Sequence, residues 1–365
     1  MSKLCVIYNM AAKYRAPIFQ LIDREMDVDW YYGHQIDDIK EMDSSLLKRV
    51  TKLRRSNILG PIYWQHGVTK LMNNSDYRVY LALGELYALS TWSLLVKKKL
   101  FCPKKKIYLW SHGWYGREGR MKRWLKKIFF GLADGTFLYG NYARDVAIKQ
   151  GNNPDKLWVI HNSLDHSHHV ELRNKLSKSN IYNEYFHNSS PTLIFIGRLT
   201  KVKQLDLIIK AVSSLKSRGK YYNIIFVGDG EERLNLEQLA REQNVNVWFY
   251  GSCYDDTQTA QLIFDADLCV SPGNVGLTAI HTMAFGTPVL THSTFSNQMP
   301  EFEAIERGKT GAFFKEGDIN SLVDEISNWF EVHTDRDAVR YDCYNEIDTQ
   351  WTPEYQMSIL KECIS

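Results

Sequence analysis

Arg198 and Lys203 lie five residues apart, directly after the apolar run Leu193-Ile-Phe-Ile196 and its closing Gly197. A guanidinium offers a rigid fork of donors and an ammonium a compact point charge, a pair suited to the oxygens of a diphosphate. If the run is a strand feeding a helix near Leu205, unpaired backbone N–H groups at the helix start add to that charge, and no metal is needed. The plain alternative is two solvated surface cations. A second segment, Asp267–Val289, reads as a strand, a loop with Gly273-Asn274-Val275-Gly276, a short helix over Leu277–Phe285, and another strand. Its glycines let backbone approach a ligand closely, and the N–H groups of Gly276, Leu277 and Thr278 are placed to meet an anion. His281 follows Leu277 by one helical turn on the same face, where the plain role is packing or capping.

Such loops need strands that stop where chemistry starts. Short apolar, β-branched or aromatic runs occur at Leu4–Tyr8, Val28–Tyr32, Val79–Leu83, Ile107–Trp110, Gly135–Tyr139 and Leu157–Ile160. They recur at Leu193–Ile196, Ile224–Val227, Val247–Tyr250, Leu268–Ser271 and Val289–Thr291. Continuous runs of this length suit strands covered on both faces. Leu205, Ile208, Ile209, Val212 and Leu215 form one helical stripe, and Glu231–Gln243 is a second helix rich in strong helix formers. Strand–helix alternation predicts α/β architecture: two doubly wound Rossmann-like domains facing across a cleft, with ligands at the carboxyl ends of the strands. The alternation breaks in polar, turn-rich sequence. The expected division is 1–165, a linker over 166–190 that includes His166, His168 and His169, a second domain over 191–345, and a tail over 346–365. The tail has helical character and is expected to return to the first domain.

The 365 residues suffice for two cores, and 44% hydrophobic with 24% charged residues excludes a disordered or collagen-like chain. Formal charge is +3, but twelve Lys or Arg and one acid, Glu118, fall between Lys97 and Lys127. That window carries +11 and leaves −8 for the remainder. Clustered cations fit an anionic membrane surface; nucleic acid would use the same charge, but no nucleic-acid motif accompanies it. Met121, Trp124, Leu125 and Ile128 mark one face of a helix there, which in the plain reading packs on its own sheet. The six cysteines lack paired spacing, and the N-terminus opens on a strand-like run rather than a signal peptide. With no apolar stretch of membrane-spanning length, a cytoplasmic protein is expected, peripheral on the inner face of the membrane. Asp27-Val-Asp29 and Asp265-Ala-Asp267 abut strand starts and read as turns rather than metal ligands.

Taken in order, Gly197-Arg-Leu-x-x-x-Lys203, Val227-Gly-Asp-Gly230, Ser271-Pro-x4-Gly-Leu-x3-His-x-Met-Ala-x-Gly-Thr-Pro-Val289, Pro300-Glu301 and Gly308-Lys-Thr-Gly311 resemble the donor domain of retaining family-four glycosyltransferases, enzymes of the GT-B architecture. Trp110-Ser-His-Gly113 and Val159-Ile-His-Asn162 resemble the first domain of that family more weakly. The resemblance implies sugar transfer from a nucleotide-sugar donor to a glycan or lipid-linked acceptor in surface polysaccharide synthesis, with retained configuration. It implies that the leaving phosphate itself receives the acceptor's proton, so that no strong protein base is required, and it implies no cofactor and no metal. Arg198 and Lys203 would hold the diphosphate and His112 would face acceptor and donor sugar. Gly251 with Ser252, Cys253 and Tyr254 would approach the base. Gly197 and the 273–278 loop would complete the donor site.

Two departures from the family stand out. Its usual pair of glutamates, seven residues between them, falls on Gly273 and His281. A histidine can still hydrogen-bond ribose hydroxyls, whereas a glycine cannot replace a carboxylate. The loop Asn9–Arg15 lacks the family's paired glycines and offers Lys13 and Arg15 to an acceptor phosphate, or to solvent. The rivals are a nucleotide-sugar epimerase of the same architecture, which would call for acid–base carboxylates, and a non-catalytic nucleotide-sugar-binding protein, which would not need both Arg198 and Lys203.

Overall fold

The computed structural model describes residues 3–36 and 39–364. The chain divides into two compact units, Met1–Asp165 with Thr352–Ser365, and His166–Trp351. In the first, strands β1 (Lys3–Tyr8), β2 (Val28–Tyr32), β3 (Val50–Lys52), β6 (Tyr77–Leu83), β7 (Lys106–Ser111), β8 (Gly135–Leu138) and β9 (Leu157–Val159) form a parallel sheet. Their order is β3-β2-β1-β6-β7-β8-β9. Strands β4 (Arg55–Leu59) and β5 (Ile62–Gln65) make a separate antiparallel hairpin.

Period-two alternation explains how this sheet is buried on both faces. Leu4, Val6 and Tyr8 of β1 pack with Ile18, Phe19 and Ile22 of the helix Ala16–Glu25 and with Met357 and Leu360 of the tail helix Pro353–Ile364. Cys5 and Ile7 point the other way, into a cluster with Leu94, Leu95 and Phe129. The tail is fastened to the first unit by polar bonds too. Fully buried Gln356 donates to the His161 carbonyl at 2.7 Å and accepts from Ser163 Oγ at 2.7 Å.

The second unit holds a six-stranded parallel sheet of β10 (Thr192–Ile196), β11 (Asn223–Val227), β12 (Val247–Gly251), β13 (Leu268–Ser271), β14 (Val289–His292) and β15 (Gly311–Phe314), ordered β12-β11-β10-β13-β14-β15. The expected stripe Leu205, Ile208, Ile209, Val212 and Leu215 is buried beneath the helix Asp206–Ser217. Every expected strand is present to within two residues. Strands β3 and β15 and the β4–β5 hairpin are additions.

The segment expected as a bare linker holds helices His166–Arg173 and Ile181–Phe186, both within the second unit. His166 and Arg173 meet the same Asp348 carboxylate at 2.8 and 2.5 Å, and His169 stacks on His281 with ring centroids 5.4 Å apart. Side chains that looked loose in the sequence are thus spent on packing.

The basic window also departs from its plain reading. On the helix Arg120–Gly131, Met121 and Trp124 are 76% and 61% exposed and Ile128 37%, while Phe129, Phe130 and Lys126 face inward. Three of the four stripe residues of the plain reading therefore point to solvent, and Leu125 is half-buried.

Candidate functional site

Each sheet reverses its strand order once, between β1 and β6 in the first unit and between β10 and β13 in the second. Connections diverge to opposite faces at such a point, so the loops leave a crevice beyond the strands' carboxyl ends. Both sets of sequence-selected residues fall at these two places.

In the second unit, β10 ends at Gly197, and the loops after β10, β11 and β12 are laced together. Gly197 donates to the Val227 carbonyl at 2.9 Å, Leu199 to that of Asp229 at 2.9 Å, and Gly228 to that of Gly251 at 2.8 Å. Gly228 has φ +144°, and a Cβ there would lie 1.9 Å from the Gly197 carbonyl oxygen, so only glycine permits this approach. Arg198 is exposed and Lys203 half-buried at the end of the single turn Lys201–Lys203.

The Lys203 ammonium donates to the Asn274 carbonyl at 2.7 Å and to its side-chain oxygen at 2.8 Å. Burial lowers its pKa below the usual lysine range, nearby Glu301 opposes that, and Arg198 adds to it. Gly273 donates to the Lys203 carbonyl at 3.0 Å. A Cβ on Gly273 would come within 2.2 Å of the Val202 carbonyl oxygen and 2.8 Å of Lys203 Cα. The glycine at 273 therefore has a backbone reason: the two loops touch there.

Val275 belongs to a different bond. Its N–H donates to buried Gln298 at 2.9 Å, and the Gln298 amide donates to Thr291 Oγ1 at 2.8 Å and the His292 carbonyl at 3.1 Å. The Val275 amide is thus committed to holding the loop. Nothing in the sequence pattern singled out Gln298; only its burial against the loop reveals it. Among the described residues, no hydrogen bond takes the N–H groups of Gly276, Leu277 or Thr278. Thr278 Oγ1 ties the short helix Thr278–Ala284 back to the Ile196 carbonyl at 3.1 Å.

His281 is half-buried between His169 and Phe285. Burial brings its pKa down to about 4, so near neutral pH it is an uncharged donor and acceptor. Ser252 and Tyr254 are exposed beyond β12, with Cys253 partly covered between them. The D-x-D carboxylates have structural partners: Asp29 pairs with Lys3 at 2.8 Å, Asp265 accepts from the Ser179 N–H at 3.0 Å and Asp267 from that of Thr192 at 2.7 Å.

In the first unit, the loops after β1, β6 and β7 enclose a cavity of about 400 Å³. His112, directly after β7, lines it with its ring 4.7 Å from that of Tyr139. Burial, and secondarily Arg15, lowers the His112 pKa to about 4. Gly113 follows it with φ +67°, a conformation that favours glycine, and a Cβ there would also meet the Leu138 side chain. Buried Lys126 anchors this loop, donating to the Gly113 carbonyl at 2.6 Å and to Glu118 at 2.7 Å, while Glu118 accepts from the Tyr115 and Gly116 amides. Arg15 lines the cavity from within and is buried; Lys13 is exposed and outside the lining.

Residues 177–345 match the family described as Glycosyl transferases group 1. A 114-residue stretch is 32% identical to the GDP-mannose-dependent alpha-(1-6)-phosphatidylinositol dimannoside mannosyltransferase of Mycobacterium tuberculosis, covering 30% of this chain and 29% of that protein. The match thus spans under a third of that relative. Among solved structures, Alr3699/HepE of Anabaena in complex with UDP is similar over 100% of this chain and 99% of its own, at 16% identity and a TM-score of 0.72. The lipopolysaccharide outer core galactosyltransferase WaaB aligns over 99% of both chains at 13% identity and a TM-score of 0.71. These likenesses establish the fold as that of GT-B glycosyltransferases, two Rossmann-like domains in one chain. The stretch that matches the glycosyltransferase group 1 family lies within the second unit.

Proposed function

We propose that this protein is a retaining glycosyltransferase that moves a sugar from a nucleotide-sugar donor to a glycan or lipid-linked acceptor of a surface polysaccharide. The observation that carries this reading is Lys203, a half-buried ammonium at the switch point of the second unit, fixed by Asn274 in the loop whose Gly276, Leu277 and Thr278 amides have no hydrogen-bond partner among the described residues. Preorganised donors of this kind stabilise charge that develops on a leaving diphosphate without reorganising at the moment of reaction. As the anomeric carbon–oxygen bond to the diphosphate breaks and a new one forms to the acceptor hydroxyl, Lys203 and Arg198 neutralise the departing phosphate. That phosphate takes the acceptor's proton, so the chemistry calls for no protein base. Neutral His281 offers a hydrogen bond to the ribose, and neutral His112 in the first unit offers one to a sugar hydroxyl. The D-x-D carboxylates are already engaged by protein groups, which supports a metal-independent reaction.

A thermal-shift panel of UDP-, GDP-, ADP- and TDP-sugars tests the reading. A ligand bound only by the folded state, at a hundred times its Kd, stabilises by about 2.7 kcal/mol. At least one donor should raise the melting temperature; a flat response to all four would sink the proposal.

The exposed stripe Met121, Trp124 and Ile128 supports a membrane-surface setting. Eight of the twelve cations in the window are exposed with it: Lys99, Lys104, Lys106, Arg117, Arg120, Lys122, Arg123 and Lys127. An apolar stripe flanked by cations lies in the headgroup region of an anionic bilayer, each cation adding about 1 kcal/mol near the surface. Co-sedimentation with anionic vesicles should therefore fall with added salt and in Trp124→Ser. Binding indifferent to lipid charge and to salt would remove the membrane from the proposal.

A further inference from the structure

Arg15 is 7% exposed, and among the described residues it has no carboxylate partner. Its guanidinium lies 5.1 to 5.5 Å from the ring centres of Tyr139, Tyr8 and Trp110, and one terminal nitrogen donates to the Tyr139 hydroxyl. The other, Nη1, is buried without a hydrogen-bond partner, as is Nδ1 of His112 in the same cavity. A guanidinium is always charged, and burying it without an opposing anion is costly; aromatic faces return only part of that cost. A buried guanidinium nitrogen left without a partner beside a cavity matches an oxyanion that arrives with a ligand.

The cavity around it fits the rest of such a ligand. At about 400 Å³ it falls within the range of small-molecule sites, roughly 300–1,000 Å³. Tyr8, Tyr14 and Tyr87 line it, and aromatic rings present flat apolar faces to sugar rings. Its charge favours an anion. Lys122, from the exposed basic helix, lines it as well; of the carboxylates nearby, Glu85 accepts from Tyr63 at 2.7 Å and Glu118 is paired with Lys126.

We propose that this cavity is the acceptor site and selects a saccharide bearing an oxyanion, a carboxylate or a phosphate, which Arg15 grips. The proposal rests on the glycosyltransferase reading for the word acceptor, but the binding itself does not depend on that reading. Its test therefore keeps the two apart. The protein, saturated with whichever of UDP, GDP, ADP and TDP it binds so that phosphate probes do not report on the donor site, is titrated with glucuronate, glucose 6-phosphate and glucose by calorimetry.

At least one charged sugar should bind more tightly than glucose by about tenfold to a hundredfold, the worth of hydrogen bonds to a charged group. Which of the two binds identifies the oxyanion. Arg15→Met should abolish that preference. Because loss of a buried cation can disturb folding, Ile39→Trp provides a second arm. Ile39 lines the cavity yet is 41% exposed, so a bulkier ring there obstructs the cavity and leaves Arg15 in place. It should weaken the charged sugar without lowering the melting temperature. Equal affinity for glucose and both charged sugars overturns the proposal, as does a preference that survives both substitutions. Failure of all four nucleotides to bind would count against the donor reading alone.

Discussion

Lys203→Ala should lower turnover by about a hundredfold to a thousandfold, the usual effect of removing one preorganised donor from a developing oxyanion. The expectation follows from where the ammonium sits. It is fixed by two oxygens of Asn274, and burial already lowers its pKa, so it contributes charge without first having to be ordered or stripped of water. Stability should change far less. Two charge-assisted hydrogen bonds of about 1.5–3 kcal/mol each are lost, but so is the desolvation of a half-buried charge, and these oppose one another. Nucleotide affinity should fall together with kcat, because the diphosphate is held in the ground state by the same group. Lys203→Arg should restore little, since a planar fork does not occupy the position of a compact ammonium between Asn274 and the Gly273 loop. Steady-state kinetics and a melting curve on the same preparation decide the matter. Turnover within a few-fold of wild type, in a folded protein, would remove Lys203 from the diphosphate site.

Gly273→Glu, which installs the carboxylate that the resemblance leads one to expect, should abolish activity rather than enhance it. The obstacle is backbone, not a flexible side chain: the new Cβ would meet the Val202 carbonyl oxygen at 2.2 Å. Relief requires the 273–276 loop and the Lys201–Lys203 turn to separate, which breaks the Gly273 to Lys203 backbone bond and moves the ammonium from Asn274. Forced overpacking of this kind costs about 1–3 kcal/mol, read as a lower melting temperature. Gly273→Ala is the sharper control, since it adds the clash without the charge and should be nearly as damaging. An active Gly273→Glu enzyme would mean that the loop yields easily and that the contact does not dictate the glycine.

Much of the architecture was legible in the amino-acid order. Parallel strands buried on both faces need unbroken apolar runs, and those runs mark eleven strands to within two residues. The exceptions have physical causes. β3 is a three-residue edge strand of half-exposed residues, β15 follows a turn as only four residues, and the β4–β5 hairpin carries little apolar alternation. The helix Arg120–Gly131 departs from its plain reading in a more instructive way. Its apolar stripe is real, but the adjoining Phe129 and Phe130 compete for the sheet and win, and Lys126 turns inward because Glu118 and the Gly113 carbonyl receive it.

What the chain's order determined by itself is the alternation of strand and helix and the positions of Gly197, Arg198, Lys203 and His112 at strand ends, since these depend on neighbours close in sequence. What only the tertiary structure decided is which of 45 basic residues is buried with no acid partner among the described residues, why residue 273 has no side chain, and which face of the basic helix meets solvent. Each of those depends on atoms brought together from distant parts of the chain: Arg15 against Tyr139, Gly273 against Val202, Lys126 against Gly113. Local pattern carries no information about such meetings, because burial and contact are properties of the packed fold.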